Sequence, residues 1–193
     1  MNICVFSSSS NGIHDDYFAE AKELGLLIGQ TGHKLINGGA NVGLMEAVTI
    51  AARDAGALTV GIIPEMMKGR SLISGNSHKV IITEDMQQRK SKMRDISDAF
   101  IALPGGFGTL EEILEVLTLK QLSYHSKAIV FINTNNFFEH LFLQFEKSCK
   151  ESFAKSSYKD LYFIANNSRE ALNFIKNYTP IVVDPKWFKV PEK

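Results

Sequence analysis

The sequence predicts an α/β protein built on a doubly wound, mostly parallel sheet flanked by helices. Three observations carry that prediction. Short apolar runs alternate with segments of helical period along nearly the whole chain. Two glycine turns, Gly38-Gly39-Ala40-Asn41-Val42-Gly43 and Pro104-Gly105-Gly106-Phe107-Gly108-Thr109, each stand between an apolar run and a helical segment. Ligands of open α/β sheets bind at that position. The length, 193 residues, suits one domain with a sizeable core, and 21 basic against 21 acidic side chains leave no basic footprint for nucleic acid.

In chain order, Asn2 to Ser7 reads as the first strand, because Met1 runs straight into Ile3-Cys4-Val5-Phe6 without the basic leader of a signal peptide. Ser7-Ser8-Ser9-Ser10-Asn11-Gly12 follows as a loop of small hydroxyls, either an ordinary polar loop or a place to hold a ligand. Phe18, Ala21, Leu24, Leu27 and Ile28 recur at helical spacing between Asp15 and Thr31, and Gly32 supplies a stop. Lys34 to Asn37 is the next strand, and the first glycine turn leads into a helix through Ala55. Leu58 to Ile63 is a strand stopped by Pro64. Glu65 to His78, with Gly69, Ser71, Gly75 and Asn76, has no period and reads as a long loop that covers a site.

Lys79 to Thr83 is a short strand, and Asp85 to Ser97 a helix carrying Arg89, Lys90, Lys92 and Arg94. Lys92 and Arg94 read as a solvated face, whereas Arg89 lies near the helix start, where it can meet a phosphate or carboxylate. Ala99 to Leu103 is the strand before the second glycine turn, and Leu110, Ile113, Leu114, Leu117 and Leu122 give the following helix its period. Ala128 to Asn133, Phe138 to Ser152, Leu161 to Ala165 and Ser168 to Tyr178 complete the alternation. The predicted division is one nucleotide-binding domain over 1–178 and a tail over 179–193, extended by Pro180, Pro185 and Pro191.

The second glycine turn is the organising feature. Its glycines allow close backbone approach, and the helix behind it presents unpaired N–H groups and a positive dipole end, which together suit a phosphate. The spacing is not the dinucleotide fingerprint, so a mononucleotide is expected rather than NAD. Thr109 and Glu112 match a capping box, which gives Glu112 a structural task. Glu111 has no such task and admits two readings. It is either a carboxylate that stabilises an oxocarbenium-like ribosyl centre or activates water, or a favourable charge at a helix N-terminus worth about 0.3–1 kcal/mol. Cys4 and Cys149 lie far apart among apolar residues without ligand spacing, which reads as buried thiols in a reducing compartment and gives no metal site. No run approaches membrane-spanning length, and a cytoplasmic protein is expected.

Three segments together, the first glycine turn with Leu44-Met45, Asp85-Met86-Gln87-Gln88-Arg89-Lys90, and Pro104 to Glu112, resemble the "Lonely Guy" (LOG) family. These are cytokinin riboside 5'-monophosphate phosphoribohydrolases, often labelled lysine decarboxylase-like. The likeness runs from the first strand to about Ala128 and more weakly beyond. It implies a Rossmann-like fold, a homodimer with sites near the subunit interface, and hydrolysis of a nucleoside 5'-monophosphate to free base and ribose 5-phosphate, without a cofactor. By motif match it implies Arg89 and Glu111 as the catalytic pair. Lys90 and Gly105, Gly106, Phe107, Gly108 and Thr109 would hold phosphate and ribose, with Ser8, Gly39, Gly43, Met86, Pro104 and Glu112 also at the substrate. The chain departs from the family at Leu72, where a glutamate is common, at Ala40, where a third glycine is usual, and in Thr118-Leu119-Lys120-Gln121-Leu122, which lacks the tryptophan expected beside the threonine. These departures bear on which base is accepted. The decarboxylase label is set aside on chemical grounds. Such reactions use pyridoxal phosphate on a Schiff-base lysine in a large fold, and no lysine stands out in an apolar site. A non-catalytic nucleotide sensor or carrier is the alternative function.

Overall fold

The computed structural model describes residues 1–68 and 71–183. Seven strands, β1 (Asn2–Phe6), β2 (Lys34–Asn37), β3 (Thr59–Pro64), β4 (Lys79–Thr83), β5 (Ala99–Ala102), β6 (Ala128–Ile132) and β7 (Phe163–Ala165), form one parallel sheet in the order β4-β3-β2-β1-β5-β6-β7. The connections carry helices α1 (Asp15–Gln30), α2 (Gly43–Asp54), α3 (Glu65–Lys68), α4 (Met86–Ile96), α5 (Phe107–Gln121) and α6 (Glu139–Lys150), and α7 (Ser168–Asn177) follows β7.

Alternate strand residues face opposite layers, so a buried strand must be apolar on both sides. Ile3, Val5, Leu35, Ile101, Val130 and Ile132 pack with Leu24 and Ile28 of α1, Leu44 and Val48 of α2, and Leu172 of α7. Cys4, Phe6, Ile36, Phe100, Ala102 and Phe131 pack with Met93 of α4 and Ile113 and Val116 of α5. These two cores hold the sheet rigid beneath the loops at its C-terminal edge. No described helix is long and apolar enough to cross a membrane.

The structure corrects the sequence reading in four places. Pro64 is the last residue of β3, paired with Thr83, rather than the residue beyond the strand. At a strand terminus the missing N–H interrupts little of the ladder. The segment expected to be all loop opens with the one-turn helix α3. Its residues 71–76 then fold back on the first glycine turn. Asn41 N–H donates to the Leu72 carbonyl at 2.9 Å and Ser74 N–H to that of Gly39 at 2.8 Å, and Glu46 on α2 accepts from Ser74 and Asn76. Leu72 thus meets the turn through its backbone, independent of its side chain. Cys4 is fully buried, but Cys149 is only half-buried. Finally, the last strand is shorter than expected, because Ser156–Leu161 form a 3-10 helix. Gly69, Pro185 and Pro191, used in the sequence reading, lie outside the described residues.

Candidate active site

β1 and β5 lie side by side, yet the chain leaves them toward opposite ends of the sheet, which opens a crevice at their C-terminal ends. Three loops are stitched together there. Ser8 N–H donates to the Pro104 carbonyl at 3.2 Å, Leu44 N–H donates to the Ser8 carbonyl at 2.9 Å, and Gly43 N–H donates to Asn11 Oδ1 at 2.8 Å. The predicted residues Ser8, Gly43 and Pro104 are therefore neighbours.

Helix α5 starts earlier than the capping-box reading requires. Gly106 is its N-cap, in extended conformation and without a side-chain cap, and the Leu110 N–H to Gly106 carbonyl bond opens the helix. The amides of Phe107, Gly108 and Thr109 precede that bond and point out of the helix end. Thr109 is buried against Gly105, so close that a Cβ on Gly105 would stand 2.1 Å from Thr109 Oγ1. Phe107 is almost wholly exposed, and Met86, the first residue of α4, is also exposed. Both stand apart from the packed centre of the site.

With the helix starting at Phe107, Glu112 lies in its second turn and cannot cap it. Its side chain, 11% exposed, instead receives Arg89 Nη1 at 2.6 Å. Arg89 is 7% exposed; its Nε donates to the Ile62 carbonyl at the end of β3, at 2.9 Å. Its Nη2 rests on Gly38, where a Cβ would come within 2.3 Å. Gly39, at φ +68, carries the turn beneath it. In the fold Arg89 forms its ion pair with Glu112 and not with Glu111, the other member of the expected catalytic pair. Glu111 is 54% exposed and binds Lys90, which is also held by Glu115 at 2.8 Å, and Glu115 in turn receives Arg94 at 2.6 Å. The reason is helical: successive residues point about 100° apart, so Arg89 and Lys90 on α4 meet different glutamates on α5. Arg94, read as solvated, is part of this outer cluster.

Burial raises the Glu112 carboxyl above the ordinary carboxylate value, although the neighbouring Arg89 pulls the other way. Burial works against the Lys90 ammonium, but hydrogen bonds to Glu111 and Glu115 outweigh it and leave its pKa raised. Burial also pushes the Cys4 thiol far up, so it is no nucleophile. Among the described residues, no group of three or more His, Cys, Asp or Glu could hold a metal ion. Open grooves of about 520 Å³ between α1 and α2 and about 360 Å³ between α5 and α6 are lined by none of the residues at this crevice.

Two features escaped the sequence reading. Asn37 is buried beneath the first glycine turn, signalled only by its place just before Gly38. Lys120 is 1% exposed, with Nζ donating to the Leu161 carbonyl at 2.8 Å and lying over the Tyr178 ring. Its spacing was informative, since Thr109, Ile113, Val116 and Lys120 form the buried stripe of α5. A lysine does stand in an apolar setting, contrary to expectation, but it is sealed from any incoming carbonyl compound.

A family profile described as "Possible lysine decarboxylase" matches residues 45–175. The cytokinin riboside 5'-monophosphate phosphoribohydrolase LOG2 of Arabidopsis thaliana is 36% identical over 178 residues, 92% of this chain and 84% of that protein. LOG3 of the same plant is 37% identical over 92% of this chain and 83% of its own. Among solved structures, a molybdenum cofactor binding protein from Rippkaea orientalis aligns with a TM-score of 0.70 at 27% identity, covering 91% of this chain and 94% of that one. The molybdenum cofactor carrier protein of Chlamydomonas reinhardtii, at 23% identity and a TM-score of 0.68 over 91% and 95% of the two chains, shares the fold. With a buried arginine–glutamate pair behind a glycine loop, and relatives this similar along nearly its whole length, the chain belongs to the lysine decarboxylase-like LOG family.

Proposed function

We propose that this protein hydrolyses the N-glycosidic bond of a nucleoside 5'-monophosphate, AMP or a cytokinin riboside monophosphate, giving free base and ribose 5-phosphate. The observation that carries the reading is the buried Arg89–Glu112 pair, set in the switch-point crevice behind the glycine loop of α5. The first-turn amides of α5 take the phosphate, and Lys90 adds a cation at the rim. The ribosyl centre then lies toward Glu112. As the C1'–N bond breaks, positive charge grows on the ring, and the carboxylate stabilises it and aligns a water. The water oxygen bonds to C1' and its proton passes to the departing base. Arg89 keeps Glu112 ionised and fixed despite its burial.

The buried pair with Arg89 supports Glu112 rather than Glu111 as the catalytic carboxylate, with Glu111 as the exposed partner of Lys90. Chromatography of free base after incubation with AMP and with isopentenyladenosine monophosphate tests this. Glu112→Gln should lose turnover yet retain nucleotide-induced thermal stabilisation, and Glu111→Gln should keep most of the activity. If the wild-type protein releases no base from any common nucleoside monophosphate, the hydrolase reading fails. Stabilisation without turnover would then favour a non-catalytic binding role, in line with the 27% identical Rippkaea orientalis neighbour, which is named a binding protein. The same family likeness supports a homodimer, an assembly that sedimentation tests.

A further inference from the structure

We propose that Asn37 is a positioning residue for Arg89, fastening the Gly38–Gly39 turn to α2 so that the turn forms the floor under the guanidinium. The inference deepens the hydrolase reading, in which Arg89 holds the catalytic carboxylate.

Asn37 ends β2 and is 1% exposed, so every polar atom of its amide must find a partner inside the protein. Oδ1 accepts from Gly39 N–H at 2.9 Å. Nδ2 donates to Thr49 Oγ1 at 2.8 Å and to the Met45 carbonyl at 3.3 Å, both on α2. Thr49 Oγ1 in turn donates to the Met45 carbonyl at 2.7 Å. One side chain therefore joins the second glycine of the turn to the helix that follows it.

That junction bounds the place where Arg89 lies. A Cβ on Gly38 would meet Arg89 Nη2 at 2.3 Å and Met45 Sδ at 2.9 Å, so turn and helix wall together confine the guanidinium. Gly39 is held just as closely from below, where a Cβ would meet the Cα of Gly61 at 2.9 Å. Neither contact depends on a side chain of the turn itself. The turn keeps its height through its hydrogen bonds, and Asn37 supplies the one from below. The hydrogen bonds of Asn37 run to Gly39, Met45 and Thr49 and not to Arg89, so its effect travels through the turn.

Two measurements separate this role from simple structural support. The first needs no turnover: the Arg89 Nε–H resonance, identified by its loss in Arg89→Lys, reports the bond to Ile62. Asn37→Ala should shift or broaden it, and Thr49→Val, which removes one anchor of the amide together with the hydroxyl's own bond to the Met45 carbonyl but leaves the Gly39 bond, should do so less. Gly75→Ala, at a site with open space for a Cβ, should leave it in place. The second is a double-mutant cycle with Arg89→Ala. Asn37→Ala alone should lower kcat by about tenfold or more with KM within about twofold, a geometric loss, and should cost nothing further once Arg89 is gone. An unmoved Arg89 resonance in a folded Asn37→Ala protein overturns the proposal, as does an independent loss in the Arg89→Ala background. If Asn37→Ala does not fold, Thr49→Val decides by the same two criteria. A wild-type protein without turnover removes the hydrolase reading and leaves the resonance to decide the role of Asn37.

Discussion

Gly38→Ala adds one methyl group in the most confined part of the site. Its carbon would stand 2.3 Å from Arg89 Nη2, whereas real Cβ atoms essentially never approach another heavy atom within 3.0 Å, so the guanidinium must retreat by about 0.7 Å. It has little room to do so, because Nε is bound to Ile62 and Nη1 to Glu112, and Met45 Sδ blocks the methyl group from leaning away. Retreat therefore weakens a hydrogen bond to a charged group, about 1.5–3 kcal/mol if lost outright. A displacement near 1 Å at a catalytic group costs about 10²-fold in rate, which is about 2.7 kcal/mol, so the two estimates agree. The expected result is a fall in kcat of about 100-fold, measured as released base at saturating AMP, with a cooperative melt retained. Gly75→Ala serves as the control. A Gly38→Ala protein that turns over at the wild-type rate would refute both the confinement of Arg89 and its part in the chemistry.

Other expectations can be checked with the same material. Because burial raises Glu112, the acid limb of kcat/KM should have its midpoint above the ordinary 4.5, activity being lost as pH falls through the raised value; a profile between about pH 4 and 8 shows it. Burial pulls Lys120 from 10.5 down to about 8, so between those values the unfolded chain binds more protons and stability rises with pH. The rise is at most about 3 kcal/mol, and Lys120→Met should abolish it in urea melts taken across that window. Gly105→Ala would drive a Cβ to 2.1 Å from Thr109 Oγ1 and should remove nucleotide-induced thermal stabilisation, since the loop can no longer close on the helix end.

The fold was legible because its inner strands are apolar on both faces: Ile3 to Phe6, Ala99 to Ala102 and Ala128 to Ile132 are buried throughout. Such runs between helical periods leave few alternatives to a parallel sheet. Helix α3 was not legible, since four residues are too few for a period. The 71–76 segment was unreadable for another reason, as its order comes from Glu46 and the Gly39–Asn41 backbone, contacts distant in sequence. At the site, glycine spacing located both turns, but not what they approach. The bareness of Gly38 matters because α4 sends Arg89 across β3 to lie on it, a consequence of packing between elements. Lys120 was readable in principle, at helical spacing from Val116 and Ile113, had a charged residue been admitted to the apolar stripe.

The assignment of Glu111 and Glu112 turns on where a local pattern stops being sufficient. Thr109 and Glu112 fit a capping box only if the helix begins at Thr109, and it begins at Phe107. Two residues of difference carry Glu112 from the helix end to the face against the sheet, where it meets a cation that is itself nearly buried. The outer contacts of Lys90 and Arg94 with Glu111 and Glu115 are surface pairs, worth about 0–1 kcal/mol each. The inner pair differs in kind. Removing one partner of a buried pair costs about 3–5 kcal/mol, yet replacing both by apolar residues is often neutral or stabilising. Folding alone therefore gives no reason to keep Arg89 and Glu112, with side chains 9% and 11% exposed, at the crevice where the strand order reverses. The proposed hydrolysis does give such a reason, since it needs a charge that is ionised, fixed and shielded from bulk water when a ribosyl cation develops, and that argument favours Glu112 over its more exposed neighbour.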